Sequence, residues 1–124
     1  MATTYVIDAE NAVVKTFFDG PIRSRDVVAL CNALAKDPTF KPEFSELGTF
    51  ETDADLQLRF LDFVDLSTLD PFSKSAKRAF VASRPAVFGM LRMFQLSRNE
   101  SPNIQVFKSP DDAWNWLVAS GASA

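Results

Sequence analysis

Residues that carry most enzyme chemistry are scarce in this chain. It has no histidine, so it lacks the side chain most used as a general base near neutral pH and the commonest metal ligand. Serine–histidine and cysteine–histidine nucleophiles are thereby excluded. The single cysteine, Cys31, falls on the apolar stripe of an expected helix, where a thiol packs as a small hydrophobe. Zinc would then need a carboxylate shell that it seldom accepts. Asp53 and Asp55 could share acid–base work or hold a hard cation, but the glycine-bearing spacing of a calcium loop is missing and the segment reads as a solvated acidic turn. Gly20, Gly48, Gly89 and Gly121 are too scattered for a Walker loop or a dinucleotide fingerprint. The residues predict no catalytic constellation, no cofactor and no metal site, hence a chain that is not an enzyme.

Binding is the remaining class of function, and one helix carries the argument. Between Pro85 and Leu96, Val87, Met90, Leu91 and Phe94 fall on one apolar stripe at helical spacing. Phe88, Met93 and Leu96 lie largely outside that stripe, with Arg92 and Gln95 as the only long polar side chains. A single sheet face cannot bury the whole circumference. Either neighbouring helices or the C-terminal segment cover the remainder, or Phe88, Gly89, Arg92, Met93 and Leu96 form a surface for a partner or ligand. A protein partner, a second copy included, would make this a regulatory or interaction domain that forms a homodimer. An apolar small molecule such as a lipid would instead lie among the Phe and Met side chains, with Arg92 on its anionic head group.

The elements that must position these residues follow from periodicity and punctuation. Tyr5 to Asp8 and Ala12 to Phe18 read as antiparallel strands around a tight turn, with Asp19-Gly20-Pro21 as the stop. Ser24 is a candidate cap for a helix with Val27, Leu30, Cys31 and Leu34 on one side, ending before Asp37-Pro38. Leu47 to Thr52 is a third strand whose faces Glu46, Thr49 and Glu51 leave ambiguous, and Leu58 to Leu69 suits a helix that Asp70-Pro71 ends. Arg78 to Ser83 reads as a strand buried on both faces and central in the sheet. After the Pro85 helix, Asn103 to Lys108 is a further strand. Ser109-Pro110-Asp111-Asp112 then opens a last helix, with Trp114, Leu117 and Val118 toward the sheet. The order ββαβαβαβα predicts an α/β fold: a mixed, mostly parallel five-stranded sheet flanked by helices.

At 124 residues, with 47% of them hydrophobic, the chain has enough apolar material for one core and no room for a second, so residues 1–124 read as one domain. A net charge of −3 gathers no phosphate backbones, which argues against nucleic acid. Charge is segregated, however. Residues 51–70 hold six acids against Arg59, whereas 71–98 hold six cations and no acid, so the two segments are expected to neutralise one another across the fold. Without the basic and apolar runs of a signal peptide near Met1, or any apolar stretch of membrane-spanning length, the expectation is a cytoplasmic protein with no stable membrane insertion. Asn99-Glu100-Ser101 matches a glycosylation sequon by pattern alone.

The stretch Ser73 to Ala82, with Lys77-Arg78-Ala79-Phe80-Val81, then Val87 to Phe94, then Val106-Phe107 and Ala113-Trp114-Asn115-Trp116-Leu117, resembles the bacterial SpoIIAA-like family of STAS-type domains. That resemblance implies a sheet flanked by helices, in a group related in fold to anti-sigma-factor antagonists and more loosely to lipid-carrying CRAL-TRIO domains. In the antagonists, a hydroxyl in a turn after the third strand is phosphorylated to switch partner binding. The corresponding stretch here, Glu51-Thr52-Asp53-Ala54-Asp55, offers only Thr52 and lacks the glycine, so Thr52 is a weak candidate switch whose phosphate its carboxylate neighbours would repel.

Overall fold

A computed structural model describes residues 3–98 and 102–122, with side chains up to 118; the Asn99-Glu100-Ser101 tripeptide lies outside the described residues. Strands β1 (Thr3–Asp8) and β2 (Val13–Phe18) form an antiparallel hairpin. Asp8 ties its turn by accepting from the backbone N–H and side-chain amide of Asn11, which holds the Asp8 carboxyl below the usual range. After a two-residue strand β3 (Pro21–Ile22) come α1 (Ser24–Lys36), β4 (Ser45–Phe50) and a second two-residue strand, β5 (Asp55–Leu56). Then follow α2 (Phe60–Leu66) with a 3-10 turn at Ser67–Leu69, β6 (Arg78–Val81), α3 (Pro85–Ser97), β7 (Ile104–Phe107) and α4 (Pro110–Ala122).

The five longer strands make one sheet in the order β1-β2-β4-β6-β7, parallel except for β1, and the longer elements reproduce the predicted ββαβαβαβα order. β6 lies between β4 and β7, one place from the centre, and is buried on both faces. The β3–β5 pair has no counterpart in the sequence reading, because two residues carry no periodicity. It joins the chain just before α1 to the chain just before α2, and Arg23 Nε donates to Gln57 Oε1 at 3.1 Å across it.

Two expected features need correction. Ser24 does not cap α1; it is the first helical residue, and Asp26 closes the end by accepting from the Arg23 N–H at 2.8 Å. Asp62 does the same for α2 with the Arg59 N–H at 2.7 Å. In α4 the Ser109 cap is as read, its Oγ accepting from the Asp112 N–H at 3.3 Å, but the sheet-facing residues are Ala113, Trp116 and Leu117. Trp114 is half-buried and lies under the Lys15 ammonium, and Val118 is exposed.

Helix α4 alone covers one face of the sheet, packing on Leu47, Ala79, Val81 and Phe107. Helices α1 and α3 cover the other face, with α2 against both. On that face strand alternation directs Val14, Thr16 and Phe18 of β2, Glu46, Gly48 and Phe50 of β4, and Arg78 and Phe80 of β6 toward the helices. Phe18 and Phe50 stack at 4.3 Å between centroids. Gly48 leaves the space for the Phe80 ring, since a Cβ there would stand 2.6 Å from a ring carbon.

Candidate ligand-binding site

Strand register sets a pair of charges into this second face. Glu46 of β4 lies directly opposite Arg78 of β6, so their side chains emerge side by side beneath the helices. Arg78 Nη2 and Nε donate to Glu46 Oε1 at 2.9 and 3.0 Å, while Glu46 Oε2 accepts from Thr16 Oγ1 at 2.8 Å. The remaining Arg78 nitrogen donates to Asp70 Oδ2, which also accepts from Arg98 Nη2 at 3.2 Å. Asp70 is held in turn by the Phe72 N–H at 3.1 Å, and Arg98 fastens α3 to α2 through the Phe63 carbonyl at 3.1 Å.

Two guanidiniums and two carboxylates thus meet in a site where the most exposed side chain, Arg98, is only 17% accessible. Burial alone would depress Arg78, but the Glu46 and Asp70 carboxylates outweigh it and hold the guanidinium above its usual value. At Arg98 burial wins, and its value falls below the usual one despite Asp70. Aromatic faces complete the setting: the Arg78 guanidinium lies 4.5 Å from the Phe72 centroid and 5.4 Å from that of Phe94, and Arg98 lies 4.6 Å from Phe94.

Against this cluster is a cavity of about 80 Å³ between the sheet, α1, α2 and α3. Its wall is apolar, formed by residues such as Phe18 and Phe50 of the sheet, Leu30 of α1, Leu66 of α2, and Leu91 and Phe94 of α3. Glu46, Asp70, Arg78 and Arg98 supply its polar side. Cys31 also lines it and is partly rather than fully buried. Burial, with Asp70 and Glu46 adding to it, pushes the thiol up to about 11, which keeps it neutral and a poor nucleophile.

The residues singled out on the Pro85 helix divide differently. Gly89, Arg92 and Leu96 are exposed, Leu96 at 49%; Phe88 and Met93 are half-buried, and the Lys108 ammonium lies 5.7 Å from the Phe88 centroid. An added Cβ at Gly89 would meet nothing within 4 Å. None of the five lines the cavity, to which α3 contributes Leu91, Phe94 and Arg98. These three are spaced i, i+3, i+7 on one helix face, while Arg92 is turned about 100° from Leu91. The cation that the end of α3 places beside the cavity, next to Arg78 of β6, is therefore Arg98 and not Arg92.

Thr52 is exposed on the turn after β4, and its carbonyl, with that of Ala54, accepts from Arg84 Nη1 at 3.4 and 2.7 Å. The neighbouring acids have separate duties, Asp53 accepting from the Gly20 N–H and Asp55 from the Gln57 side chain. The acidic and basic segments do meet, but through Asp70 with Arg78 and Arg98 and through the carbonyls held by Arg84. Among the described residues no group of three or more Cys, Asp and Glu is placed to hold a metal ion, and no helix is long and apolar enough to cross a membrane.

Two features escaped the sequence reading. Helix α2 is apolar on both sides, with Phe63 and Leu66 turned inward and Phe60, Leu61 and Val64 exposed, Leu61 at 66%. The signal was the dense apolar run of residues 60–66 itself. Glu46 could have been found as a carboxylate alternating in phase with Phe50, but Asp70 read only as part of a helix stop. Protein-family models, curated proteins and solved structures give no match to this chain.

Proposed function

We propose that this chain is a non-enzymatic binding domain that holds an apolar small molecule between its sheet and helices α1, α2 and α3. One observation carries the reading: a cavity with an almost wholly apolar wall lies where the core should be closed, since interiors are normally packed without voids larger than a water molecule. Concave sites lined mainly by apolar and aromatic side chains with a few polar groups are where apolar small molecules bind. The resemblance to SpoIIAA-like, STAS-type domains agrees with a binding module lacking a reaction of its own. Native mass spectrometry of protein purified from cells, with thermal melts in fatty acids and isoprenoids, tests it. A co-purifying ligand or a raised melting temperature is expected. Absence of both overturns the reading.

A second reading, a regulatory or interaction domain that self-associates, rests on the exposed Phe60, Leu61 and Val64 of α2 and Leu96 of α3. Light scattering at micromolar concentration should then show a dimer that Leu61→Glu dissolves. A monomer at every concentration rejects it.

A further inference from the structure

Beside the apolar cavity lies a second, more polar space, a cleft of about 530 Å³ whose lining also includes Phe72, Ala76 and Ile104. Lys74, Arg78 and Arg98 line it with one carboxylate, Asp70, and the hydroxyls of Ser67, Ser73 and Ser97. The two spaces share four residues, Asp70, Phe72, Arg78 and Arg98, so they meet at the ion cluster. A single ligand reaching from one to the other would place its polar end among cations and its apolar end among Phe and Leu.

We propose that the bound molecule is an anionic amphiphile: a carboxylate or phosphate head group in the cleft between Lys74 and Arg98, and one narrow aliphatic chain entering the cavity past Asp70 and Arg78. This inference rests on the apolar-ligand reading above and adds the chemistry of the head group.

Three observations define that chemistry. Arg78 and Arg98 are balanced by Glu46 and Asp70, so among the described residues the cleft's excess charge is the single positive one of Lys74, which favours a negative head group over a positive one. The Asp70 carboxylate already fills the fork between the two guanidiniums, so a ligand's head group lies outside it, on the Lys74 and Arg98 side of the cleft. Lys74 is exposed, lines the same cleft as Arg98 and has no ion-pair partner among the described residues, which leaves its ammonium uncommitted. Two of the three serine hydroxyls are committed elsewhere, since Ser67 and Ser97 give their protons to the Val64 and Phe94 carbonyls, while Ser73 Oγ shares a hydrogen bond with Ser75 Oγ at 2.9 Å. Recognition therefore depends on charge.

Size sets the chain. About 80 Å³ holds roughly three water-sized groups, so the tip of one narrow chain fits while a ring system or a second chain requires α2 to part from its neighbours.

Proton–nitrogen NMR titration of the intact chain with octanoate, octyl phosphate, octanol, octylammonium and inorganic phosphate tests this. Octanoate and octyl phosphate should bind at least about tenfold more tightly than octanol, with shifts at both Leu30 and Arg98, and octylammonium should bind most weakly. Lys74→Glu, at an exposed position, should bring the two anions down to the affinity of octanol and leave octanol unchanged. Added salt should weaken the anions alone. Equal affinity for octanol and octanoate overturns the anionic head group while the apolar-ligand reading stands. Inorganic phosphate binding as tightly as octyl phosphate overturns the amphiphile and leaves a simple anion site. No binding of any octyl compound overturns this inference and the apolar-ligand reading together.

Discussion

The two faces of the sheet solve the same burial problem differently. On the α4 side one helix buries Ala113 and Leu117 against Ala79 and Val81, with Leu47, Phe107 and Trp116 packed around them. On the other side three helices converge on Phe18, Phe50 and Phe80, and their junction encloses both a cavity and a cluster of buried charge. The buried polar residues Thr16 and Glu46 both belong to this second face. Removing such ions from water costs several kcal/mol apiece, and a well-packed apolar replacement is often at least as stable. A cluster of this kind is therefore weak evidence of a stability device. Its position between an apolar hole and a cationic cleft fits the recognition of a ligand.

That contrast can be broken from either side. The largest effect is expected at Arg78→Met, which strands Glu46 in the interior and takes one of the two guanidiniums from Asp70, and should lower unfolding free energy by about 3–5 kcal/mol in urea titrations. Joining it to Glu46→Leu should restore most of the loss, because Asp70 keeps Arg98 and no lone charge remains. If the double variant is as unstable as the single, the cluster is structural in its own right. On the α4 face, Leu117→Ala should cost about 2–4 kcal/mol by the same measurement, with no effect on octanoate binding.

Cys31→Val gives the smallest effect and sharpens the account of the cavity wall. The folded thiol titrates at about 11 against an ordinary 9.0, so the fold favours the neutral form. Its contribution is complete below pH 9.0 and is lost as pH rises toward about 11. Melts of the wild type should fall behind those of Cys31→Val across that window, by on the order of 1 kcal/mol, and run parallel below it. Parallel curves throughout would mean that the thiol faces solvent instead of the cavity.

Much of the architecture was legible in the residues. Proline and aspartate at the element ends, the Ser109 cap and the apolar run Ala79-Phe80-Val81-Ala82 at β6 are local signals, and the order and type of the longer elements followed from them. The β3–β5 pair was not legible, since its two-residue strands exist only because Gly20 and Ile22 carbonyls accept from Asp55 and Gln57. On α3 the sequence showed an excess of apolar surface, but not which part would face the cavity. Helical geometry turned Leu91, Phe94 and Arg98 inward and left Arg92 outside. For α2 the converse holds: its apolar residues were read as a helix, and their division into buried and exposed sides depended on where α1 and α3 stand.

What the sequence determined by itself is the class of chain: an α/β domain whose missing histidine, lone cysteine and scattered glycines point away from the commoner catalytic and nucleotide-binding designs. Those conclusions need only residue identity and short-range periodicity. The site was decided by tertiary structure, because Thr16, Glu46, Asp70, Arg78 and Arg98 come from separate parts of the chain. Strand register sets Glu46 beside Arg78, and the turn after α2 and the end of α3 bring Asp70 and Arg98 to them. Register and helix docking are long-range choices, fixed by which faces must be buried together, and no local run of residues encodes them.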